Sequence, residues 1–472
     1  MILTKSTLIL LLATLSLAEP SPSSANLRPL RPHDPLAEAI SSSLKRNDAG
    51  NTTTTNSSTD GADRVLRYSL QQKQFNGTAA TTARRRRQQH KARRRDAMFE
   101  SDEEARLVRR EKWNWKHLED YRGYLYFMEI EIGDPPQLVG LTPDTGSFET
   151  WVNPNCANAA SAYLCAKNGM YHPEQSELAV TQNERFDFGY GSGWVNGLYY
   201  EDRIYFRNED VGIRQKFGLA TDSSYAVSGI LGLGYGIGYT INYANVLDSL
   251  VKFDLINAPI YSVSLGGQGQ GTSEIVFGGV NQARYSGYLQ AVPIWPSVYE
   301  QAQDWVHYRV NVSSMGYTTP FGKKTSFFNP GTSSDLNVLV DTGVTYTVLP
   351  PAMVDAIAEQ FGAKWDVGEY TVDCAMRDQP GTFDFGFNND KLIIRVRYFD
   401  FILKIQEGRC TFGLQQGTDS DAILGNTFLR GAYVVYDQST HALWMENYDE
   451  CGSQVAAVGR SAGDVGRTRG LC

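Results

Sequence analysis

Two aspartates stand in the same three-residue phrase, Asp-Thr-Gly, at Asp144 and at Asp341. In each copy the aspartate follows a short apolar run, LVGLTP in the first and NVLV in the second, which is typical of a β-strand. The glycine permits a tight turn and a close backbone approach, and the threonine can lock that turn through its hydroxyl group. The sequence therefore predicts that each carboxylate lies at a tight turn where a strand ends.

A second phrase, Ile-Leu-Gly, also occurs twice, beginning at Ile230 and at Ile423. The two phrases follow each other in the same order and at nearly the same offset in both halves of the chain, which indicates an internal repeat of long period. We therefore predict two duplicated lobes. If the lobes pack about an approximate two-fold axis, the two aspartate turns meet.

Two carboxylates held side by side favour one kind of chemistry. Like charges a few ångströms apart cannot both ionise cheaply, so Asp144 and Asp341 would hold one proton between them. The ionised member can take a proton from a bound water while the protonated member donates to the oxygen of an amide carbonyl. This arrangement hydrolyses a peptide bond without a nucleophilic side chain, a metal ion or any other cofactor.

The elements that must position these turns are mostly strands. After about residue 113 the chain is rich in short alternating or apolar runs separated by Gly, Pro and Asn, such as YLYFMEIEIG, RFDFGYGSGW, SEIVFGG and DKLIIRVRYFDFILKI. These runs predict strands and hairpins, and helical patterns are few, chiefly YANVLDSLVKF and PPAMVDAIAEQFG. The predicted fold class is all-β with a few short helices, and prolines near residue 296 indicate a lobe boundary.

Residues 124–448 resemble the pepsin-like aspartic proteases, in particular the secreted fungal type. The resemblance rests on YLYFMEIEIGDPPQ, DTGSFETW, SGILGLGYG, SEIVFGG, VDTG and AILGNTFLRGAYVVYD, each of which stands where that family has a similar phrase. It implies a bilobal all-β fold and a monomeric endopeptidase acting on polypeptides. The shared proton of an aspartate pair is itself best known from this family.

The resemblance also implies roles for individual residues. Asp144 and Asp341 match the catalytic pair, and Ser147 is expected to support the first aspartate. YGSGWVNG resembles the flap, a hairpin that closes over substrate, with Tyr190 as the flap tyrosine and Trp151 as the tryptophan that steadies it. An extended peptide that binds like an added strand would be contacted by Tyr190, Gly191, Ser192, Gly146, Gly343 and Thr345.

Two positions depart from the family pattern. Phe148 stands where the family usually has a second small hydroxyl residue, and Val344 stands where a Ser or Thr normally supports the outer oxygen of the second aspartate. Losing a hydrogen bond to the charged form raises the pKa of a carboxyl group, because that bond favours ionisation. We therefore expect an active enzyme whose pH optimum is shifted upward relative to close relatives.

The first 110 residues have a different character. Lys5, the apolar run TLILLLATLSLA and the small residues ending at Ala18 are typical of a cleaved secretory signal, and the run is shorter than the roughly 20 residues of a membrane-spanning helix. Polar clusters and the basic runs ARRRRQQHKARRR and RLVRR follow, which favours a prosegment cut by a processing protease at its basic sites. A nucleic-acid-binding arm is the alternative, and the secretory context disfavours it.

These features predict a secreted, extracellular zymogen with no membrane or nucleic-acid partner. The prosegment is expected to inhibit the enzyme until it is removed, and the mature chain to begin near Asp96 or at Glu111. Without the basic prosegment the body is more acidic than the whole chain, whose formal net charge is −8, which fits work in acid. The predicted organisation is a signal peptide 1–18, a prosegment 19–110, lobes 111–295 and 296–450, and a tail 451–472.

Six cysteines, all after residue 155, predict disulfides in a secreted chain. Local spacing favours Cys156 with Cys165 and Cys374 with Cys410, and leaves the pairing of the last two cysteines open. The chain has no CxxC pair or His/Cys cluster, so no metal site is predicted. Sequons for N-glycosylation begin at Asn51, Asn56, Asn76 and Asn311.

Two other functions stay open at this point. A catalytically silent protein of the same fold would bind a partner without cutting it, although both aspartates, Tyr190 and the prosegment favour an enzyme. A processing protease selective for basic residues would need acidic pockets, such as one lined by Glu149. GRSAG at residues 459–463 has the form of a serine-hydrolase motif, but it lacks the flanking strand and helix that such a site needs.

Overall fold

The computed structural model describes residues 125–206, 212–268, 273–296, 305–328, 336–366, 368–406, 408–418, 422–461 and 463–472, and the backbone of strands at 19–20 and 66–70. The predicted signal peptide, the basic runs of the prosegment and the sequons at Asn51, Asn56 and Asn76 lie outside the described residues. No helix within these ranges is long and apolar enough to cross a membrane.

Strands dominate the first half of the described chain, as its alternating runs predict. The run MEIEI, for example, buries every second side chain, which is the period of a strand with one face in the core. In chain order these strands are β1 Glu19–Pro20, β2 Leu66–Leu70, β3 Met128–Ile132, β4 Gln137–Asp144, β5 Trp151–Val152, β6 Val180–Tyr190, β7 Gly193–Tyr205, β8 Ile213–Ser223, β9 Gly229–Gly232, β10 Ile260–Ser264, β11 Ser273–Phe277, β12 Gly279–Asn281, β13 Ser286–Tyr288 and β14 Gln290–Pro293.

The second half is built in the same way. The run LIIRVR again buries alternate residues. Its strands are β15 Arg309–Thr318, β16 Lys324–Phe328, β17 Leu336–Val340, β18 Thr347–Leu349, β19 Lys364–Asp366, β20 Glu369–Val372, β21 Thr382–Phe387, β22 Leu392–Arg397, β23 Leu403–Gln406, β24 Arg409–Thr411, β25 Leu414–Gln416, β26 Ile423–Leu424, β27 Ala432–Asp437, β28 Ala442–Asn447, β29 Val455–Ala457 and β30 Arg469–Leu471.

The α-helices in the described ranges are short. They are α1 Ala162–Lys167, α2 Val246–Lys252, α3 Pro351–Gln360, α4 Cys374–Arg377, α5 Tyr398–Phe401, α6 Asn426–Leu429 and α7 Asp464–Arg467. The two predicted helices are among them. Asn245 and Asp248 form a capping box that starts α2, and Gly362, in the left-handed region with φ of 61°, follows the end of α3.

The run DKLIIRVRYFDFILKI contains a break that its apolar pattern does not predict. β22 ends at Arg397, one helical turn follows as α5, and the chain becomes extended again in β23. The carboxylate of Asp400 is buried in this turn, where it accepts a hydrogen bond from Arg397 Nε at 2.6 Å and another from the backbone N of Gln268 at 2.8 Å. A buried carboxylate needs such partners, and a continuous strand would not bring them together.

Two eight-stranded sheets repeat one local arrangement. In the first, β4 lies parallel to β9, and β9 lies antiparallel to β5. In the second, β17 lies parallel to β26, and β26 lies antiparallel to β18. The strand orders are β1-β6-β7-β3-β4-β9-β5-β8 and β22-β21-β15-β17-β26-β18-β25, with β16 beside β15. This repetition confirms the predicted bilobal, duplicated all-β fold.

A six-stranded sheet connects the two halves of the chain. Its strand order is β14-β28-β27-β10-β11-β2, so β27 and β28, from after the predicted boundary at residue 296, lie between β14 and β10, from before it, with no break in hydrogen bonding. The backbone of β2, from the predicted prosegment, forms one edge of this sheet. The two lobes are therefore joined by a shared sheet as well as by the chain between them.

The segment set apart as a tail, residues 451–472, is part of the folded body. Its strands β29 and β30 pair antiparallel with β12 and β13, and Val458 and Val465 are buried. The structure contains three disulfides, Cys156–Cys165, Cys374–Cys410 and Cys451–Cys472. The third of these closes the tail.

Replacing both Cys451 and Cys472 by Ala should lower the free energy of unfolding by about 3 kcal/mol, because the bridge restricts the unfolded chain across a sequence separation of 21. Thermal or denaturant unfolding followed by circular dichroism measures this change. An unchanged transition would mean that the strand pairing of the tail is sufficient by itself.

Candidate active site

The two Asp-Thr-Gly turns meet between the lobes and are joined by reciprocal hydrogen bonds. The backbone N of Thr145 donates to Thr342 Oγ1 at 3.1 Å, and the backbone N of Thr342 donates to Thr145 Oγ1 at 3.0 Å. Each hydroxyl group in turn donates across the interface, Thr145 to the carbonyl of Val340 at 3.0 Å and Thr342 to that of Pro143 at 2.8 Å. The structure thus brings Asp144 and the second aspartate turn together, as the repeat predicts.

The glycines of the two turns bind the aspartates in the same way. Gly146 N donates to Asp144 Oδ1 at 2.9 Å, and Gly343 N donates to Asp341 Oδ1 at 2.7 Å. Both carboxyl groups are completely buried. These matched contacts hold the inner side of each carboxyl group in one orientation, which leaves the outer oxygens to distinguish the pair.

The outer oxygens have different neighbours. Ser147 Oγ donates to Asp144 Oδ2 at 2.6 Å. At the matching position of the second turn, Val344 supplies no hydroxyl group, and its side chain packs with Leu339, Val348 and Ile423 in a small apolar cluster. The pair is therefore asymmetric, because the side chain at this position donates a hydrogen bond to the first aspartate and cannot donate one to the second.

The Ile-Leu-Gly phrases lie directly against the two turns. A Cβ atom on Gly232 would be 2.5 Å from the carbonyl carbon of Phe148, and one on Gly425 would be 2.3 Å from the carbonyl oxygen of Tyr346. Only glycine fits at such separations. The phrases pack against the two aspartate loops and are also part of the core.

The segment predicted to be the flap forms the hairpin of β6 and β7. Gly191 and Ser192 make its turn, and Tyr190 is paired with Gly193 at the end of β6. Trp151 Nε1 donates to the Tyr190 hydroxyl oxygen at 2.8 Å, as expected for a tryptophan that steadies the flap tyrosine. The hydroxyl oxygen of Ser192 is buried with no hydrogen-bond partner among the described residues, so it is available to a bound peptide.

Two other predicted site residues lie in less open surroundings. Thr345 has no exposed surface, and its carbonyl accepts a hydrogen bond from the backbone N of Thr427 at 2.9 Å. Asn311 lies within β15, half-buried, and its side-chain oxygen accepts from Asn337 Nδ2 at 3.0 Å. Substrate binding by Thr345 and glycosylation of Asn311 stay predictions.

Glu149 does not line an open acidic pocket. It is only 4% exposed, and its two carboxyl oxygens accept hydrogen bonds from the hydroxyl groups of Tyr199, at 2.9 Å, and Tyr243. Burial raises the pKa of Glu149 to about 7, and the tyrosine hydrogen bonds and the nearby Lys216 offset only part of that rise. The sequence identifies this residue as acidic, and only the structure shows that its oxygens are already bound.

His307 is a neighbour of the first turn that the sequence does not point to. Its imidazole forms a hydrogen bond to the backbone of Gly146, and burial, together with the charge of Arg309, lowers the pKa of His307 to about 4. The six histidines are scattered and follow no ligand spacing, so no signal singles this one out. In the described part of the chain, no group of three or more His, Cys, Asp or Glu residues could hold a metal ion.

Comparison with known proteins agrees with this geometry. A model of the family "Eukaryotic aspartyl protease" matches residues 125–445. The chain is 32% identical over 351 residues to the probable aspartic-type endopeptidase opsB of Aspergillus oryzae, covering 68% of each. It is 31% identical to vacuolar protease A of Neurospora crassa (66% of this chain, 76% of that one) and 29% identical to secreted aspartic protease 3 of Candida albicans (66% and 76%).

The chain therefore belongs to the eukaryotic aspartyl protease family. It is a pepsin-like aspartic protease, a hydrolase of peptide bonds, as the repeated phrases and the bilobal fold predict.

Thr145→Val should destabilise the enzyme by about 2 to 4 kcal/mol and lower kcat, because it leaves the buried carbonyl of Val340 and the buried N–H of Thr342 without their partner. Thr145→Ser keeps the hydroxyl group and is the matched control. Unfolding curves and kcat for both variants measure the effect. A Val variant that is as stable and as active as the Ser variant would contradict the role of these hydrogen bonds.

Val344→Thr should move the bell-shaped pH profile of kcat/KM to lower pH by about one unit, because a new hydroxyl group favours the ionised form of Asp341. Val344→Ala also removes packing in this apolar cluster but adds no donor, and its profile should keep the position of the unmodified enzyme. An unchanged pH profile of kcat/KM for Val344→Thr would contradict the prediction that a hydroxyl group at this position affects the ionisation of Asp341.

Proposed function

We propose that the protein is a secreted aspartic endopeptidase, made as a zymogen, in which Asp144 and Asp341 are the catalytic residues. One observation carries this proposal above the others: the two turns that hold these carboxyl groups are locked to each other by four hydrogen bonds across the lobe interface. Such an interface fixes two buried carboxyl groups in one geometry, as a shared-proton pair requires.

The donors around the pair favour a division of roles. Asp144 accepts hydrogen bonds from Gly146 N on one oxygen and from Ser147 Oγ on the other, and both bonds favour its ionised form. Asp144 then takes a proton from a bound water, and Asp341 gives its proton to the oxygen of the scissile carbonyl as the water oxygen bonds to carbon. Collapse of the resulting gem-diol breaks the C–N bond: the proton held by Asp144 passes to the leaving amine, and one diol hydroxyl group returns its proton to Asp341 as the carbonyl re-forms.

The hairpin of β6 and β7 would cover the peptide during this reaction. Tyr190 is fixed by Trp151, while Gly191 and Ser192 at the turn offer backbone groups and one free hydroxyl oxygen. Gly146 and Gly343 lie next to the aspartates and donate backbone hydrogen bonds to them. An extended substrate lying between flap and turns would bind as an added strand, with selectivity set by its side chains.

Inhibition by the prosegment has support from two strand pairings. The backbone of β2 pairs antiparallel with β11 in the sheet that joins the lobes, with Leu66 opposite Phe277 and Leu70 opposite Ser273. The backbone of β1 pairs with Phe188 and Gly189, next to the flap tyrosine. A chain that pairs with both the interlobe sheet and the flap strand would restrict flap opening until processing at the basic sites removes it.

Secretion is proposed from several independent features. The N-terminal sequence is typical of a secretory signal, and three disulfides suit an oxidising compartment. A relative from Candida albicans is named as secreted, while one from Neurospora crassa is named as vacuolar. Both destinations lie on the secretory route.

Selectivity for basic residues has less support. The acidic residue that could line such a pocket is Glu149, and both of its oxygens are occupied by tyrosine hydroxyl groups. A buried carboxyl group with bound oxygens cannot pair with an incoming Lys or Arg without losing those partners. We therefore propose a general endopeptidase.

The test is hydrolysis of a denatured protein by the secreted chain across pH 2 to 7, with and without pepstatin, beside Asp144→Asn. We expect hydrolysis in acid that pepstatin blocks, and a loss of at least about 10³-fold in kcat in the variant, which keeps the turn but lacks the base. Treatment with a dibasic-specific protease before the assay should increase the activity of the proprotein.

An Asp134→Asn variant is the control, because it removes an aspartate of the same lobe outside the pair. Pepstatin-insensitive hydrolysis would contradict the assignment of the aspartates. A folded, processed chain without any hydrolysis would support the silent-binder alternative.

A further inference from the structure

The flap rests on a small core of its own. Trp151, Phe186, Tyr190 and Tyr199 belong to a buried cluster that is distinct from the main core of the lobes. Its rings are close together: Phe186 and Tyr199 have centroids 5.3 Å apart, and Trp151 and Tyr190 have centroids 6.4 Å apart. Because the cluster is small, the position of the flap tyrosine depends on few contacts.

Glu149 links this cluster to the loop that follows Asp144. Its oxygens accept hydrogen bonds from Tyr199, which lies on β7 at the base of the flap, and from Tyr243, which lies just before α2. The two tyrosine rings also contact each other edge to face, with centroids 5.7 Å apart. Three separate segments of the N-terminal lobe therefore converge on one carboxyl group.

The surroundings of this carboxyl group are partly charged. Lys216 Nζ on β8 lies 4.4 Å from the centroid of the Tyr199 ring and 4.9 Å from that of Tyr243, and it pairs with Glu184 on β6. The lysine thus lies against the two rings and is neutralised by an exposed carboxylate. The titratable groups that face Glu149 are Tyr199 from β7, Tyr243 from the segment before α2, Lys216 from β8 and Tyr190 from β6, and Tyr190 also interacts electrostatically with Asp144 of β4.

We propose that Glu149 is a positioning residue for the flap: its carboxyl group, held by Tyr199 and Tyr243, fixes the base of the flap against the catalytic loop and so sets the position of Tyr190 over the substrate. Glu149 acts through Tyr199, Phe186 and Trp151 of the flap cluster. The inference rests on the proposed function of Asp144 and Tyr190.

The protonation state of Glu149 makes its effect on the position of the flap depend on pH. In the acid range Glu149 is neutral, because its burial favours the uncharged form, and it then both donates and accepts a hydrogen bond. Near neutral pH it ionises, which places a second negative charge in the region of Asp144 and Tyr190 and changes the bonding to two accepted hydrogen bonds. The position of the flap is thus expected to differ between acid and neutral medium.

Two substitutions of Glu149 separate hydrogen bonding from charge. Glu149→Leu removes the carboxyl group that both tyrosine hydroxyl groups bind, and we expect KM for a peptide substrate at pH 4 to rise about tenfold with kcat changed by less than about threefold. Glu149→Gln, which can donate and accept as the neutral acid does, should restore KM. A KM in the Gln variant as high as in the Leu variant would overturn the proposal.

Charge is tested by the pH dependence of the Gln variant. The ratio of kcat/KM of the unmodified enzyme to that of Glu149→Gln should fall by about twofold between pH 4 and pH 7, because about half of Glu149 is ionised at the upper value. The ionisation of the aspartate pair affects both proteins and cancels in the ratio. A ratio that does not change with pH would overturn the proposed link to acid conditions.

If Glu149→Leu does not fold, Tyr243→Phe still decides the question. It deletes one hydroxyl group and should raise KM roughly fivefold. Tyr285→Phe is the matched control, because it also deletes the hydroxyl group of a tyrosine that donates a hydrogen bond, to the carbonyl of Thr468 at 3.1 Å, and lies outside the flap cluster. Equal KM values for the two Phe variants would overturn the proposal.

A different result would contradict the proposed function. Activity that survives in Asp144→Asn contradicts the catalytic assignment, whereas an inactive Asp144→Asn beside unchanged KM values in the Glu149 and Tyr243 variants contradicts only the role of Glu149.

Discussion

The rest of the structure depends on the reciprocal hydrogen bonds of Thr145 and Thr342. Each hydroxyl group accepts from the opposite backbone and donates to the opposite lobe, so neither turn can move without breaking contacts of both. The interface is buried, and its polar groups would be costly to leave without partners. The parallel strands that end at the turns, the Ile-Leu-Gly phrases behind them and the shared six-stranded sheet all maintain this one contact.

The side chains around that symmetric contact differ between the two lobes. Ser147 supports one aspartate and Val344 stands at the matching place of the other, so the two carboxyl groups meet different electrostatic conditions although their backbones match. Burial of Glu149 beneath the flap and of His307 beside Gly146 adds two titratable groups whose pKa values are shifted in opposite directions, both by desolvation of the charged form. The symmetric turns fix the positions of the two carboxyl groups. Their asymmetric neighbours decide which titratable groups are protonated.

Some features were predictable because they depend on neighbours in sequence. The alternation of MEIEI predicted a strand, the runs YANVLDSLVKF and PPAMVDAIAEQFG predicted helices, and two repeated phrases predicted duplicated lobes. The helical turn at Tyr398–Phe401 was not predictable, because it depends on a bond between Asp400 and the distant Gln268. Pairing of the tail with β12 and β13, and the tyrosines around Glu149, likewise depend on residues far apart in the chain.

The sequence by itself determined the class of the protein and the residues at its centre. Asp-Thr-Gly and Ile-Leu-Gly are short phrases whose chemistry and order are visible without coordinates, because turn geometry and charge reside in adjacent residues. Only the tertiary structure decided what each buried polar group is bonded to. Glu149 reads as an acidic residue in the chain and becomes a bound carboxyl group in the fold, because hydrogen-bond partners and desolvation are set by contacts between segments that lie far apart in sequence.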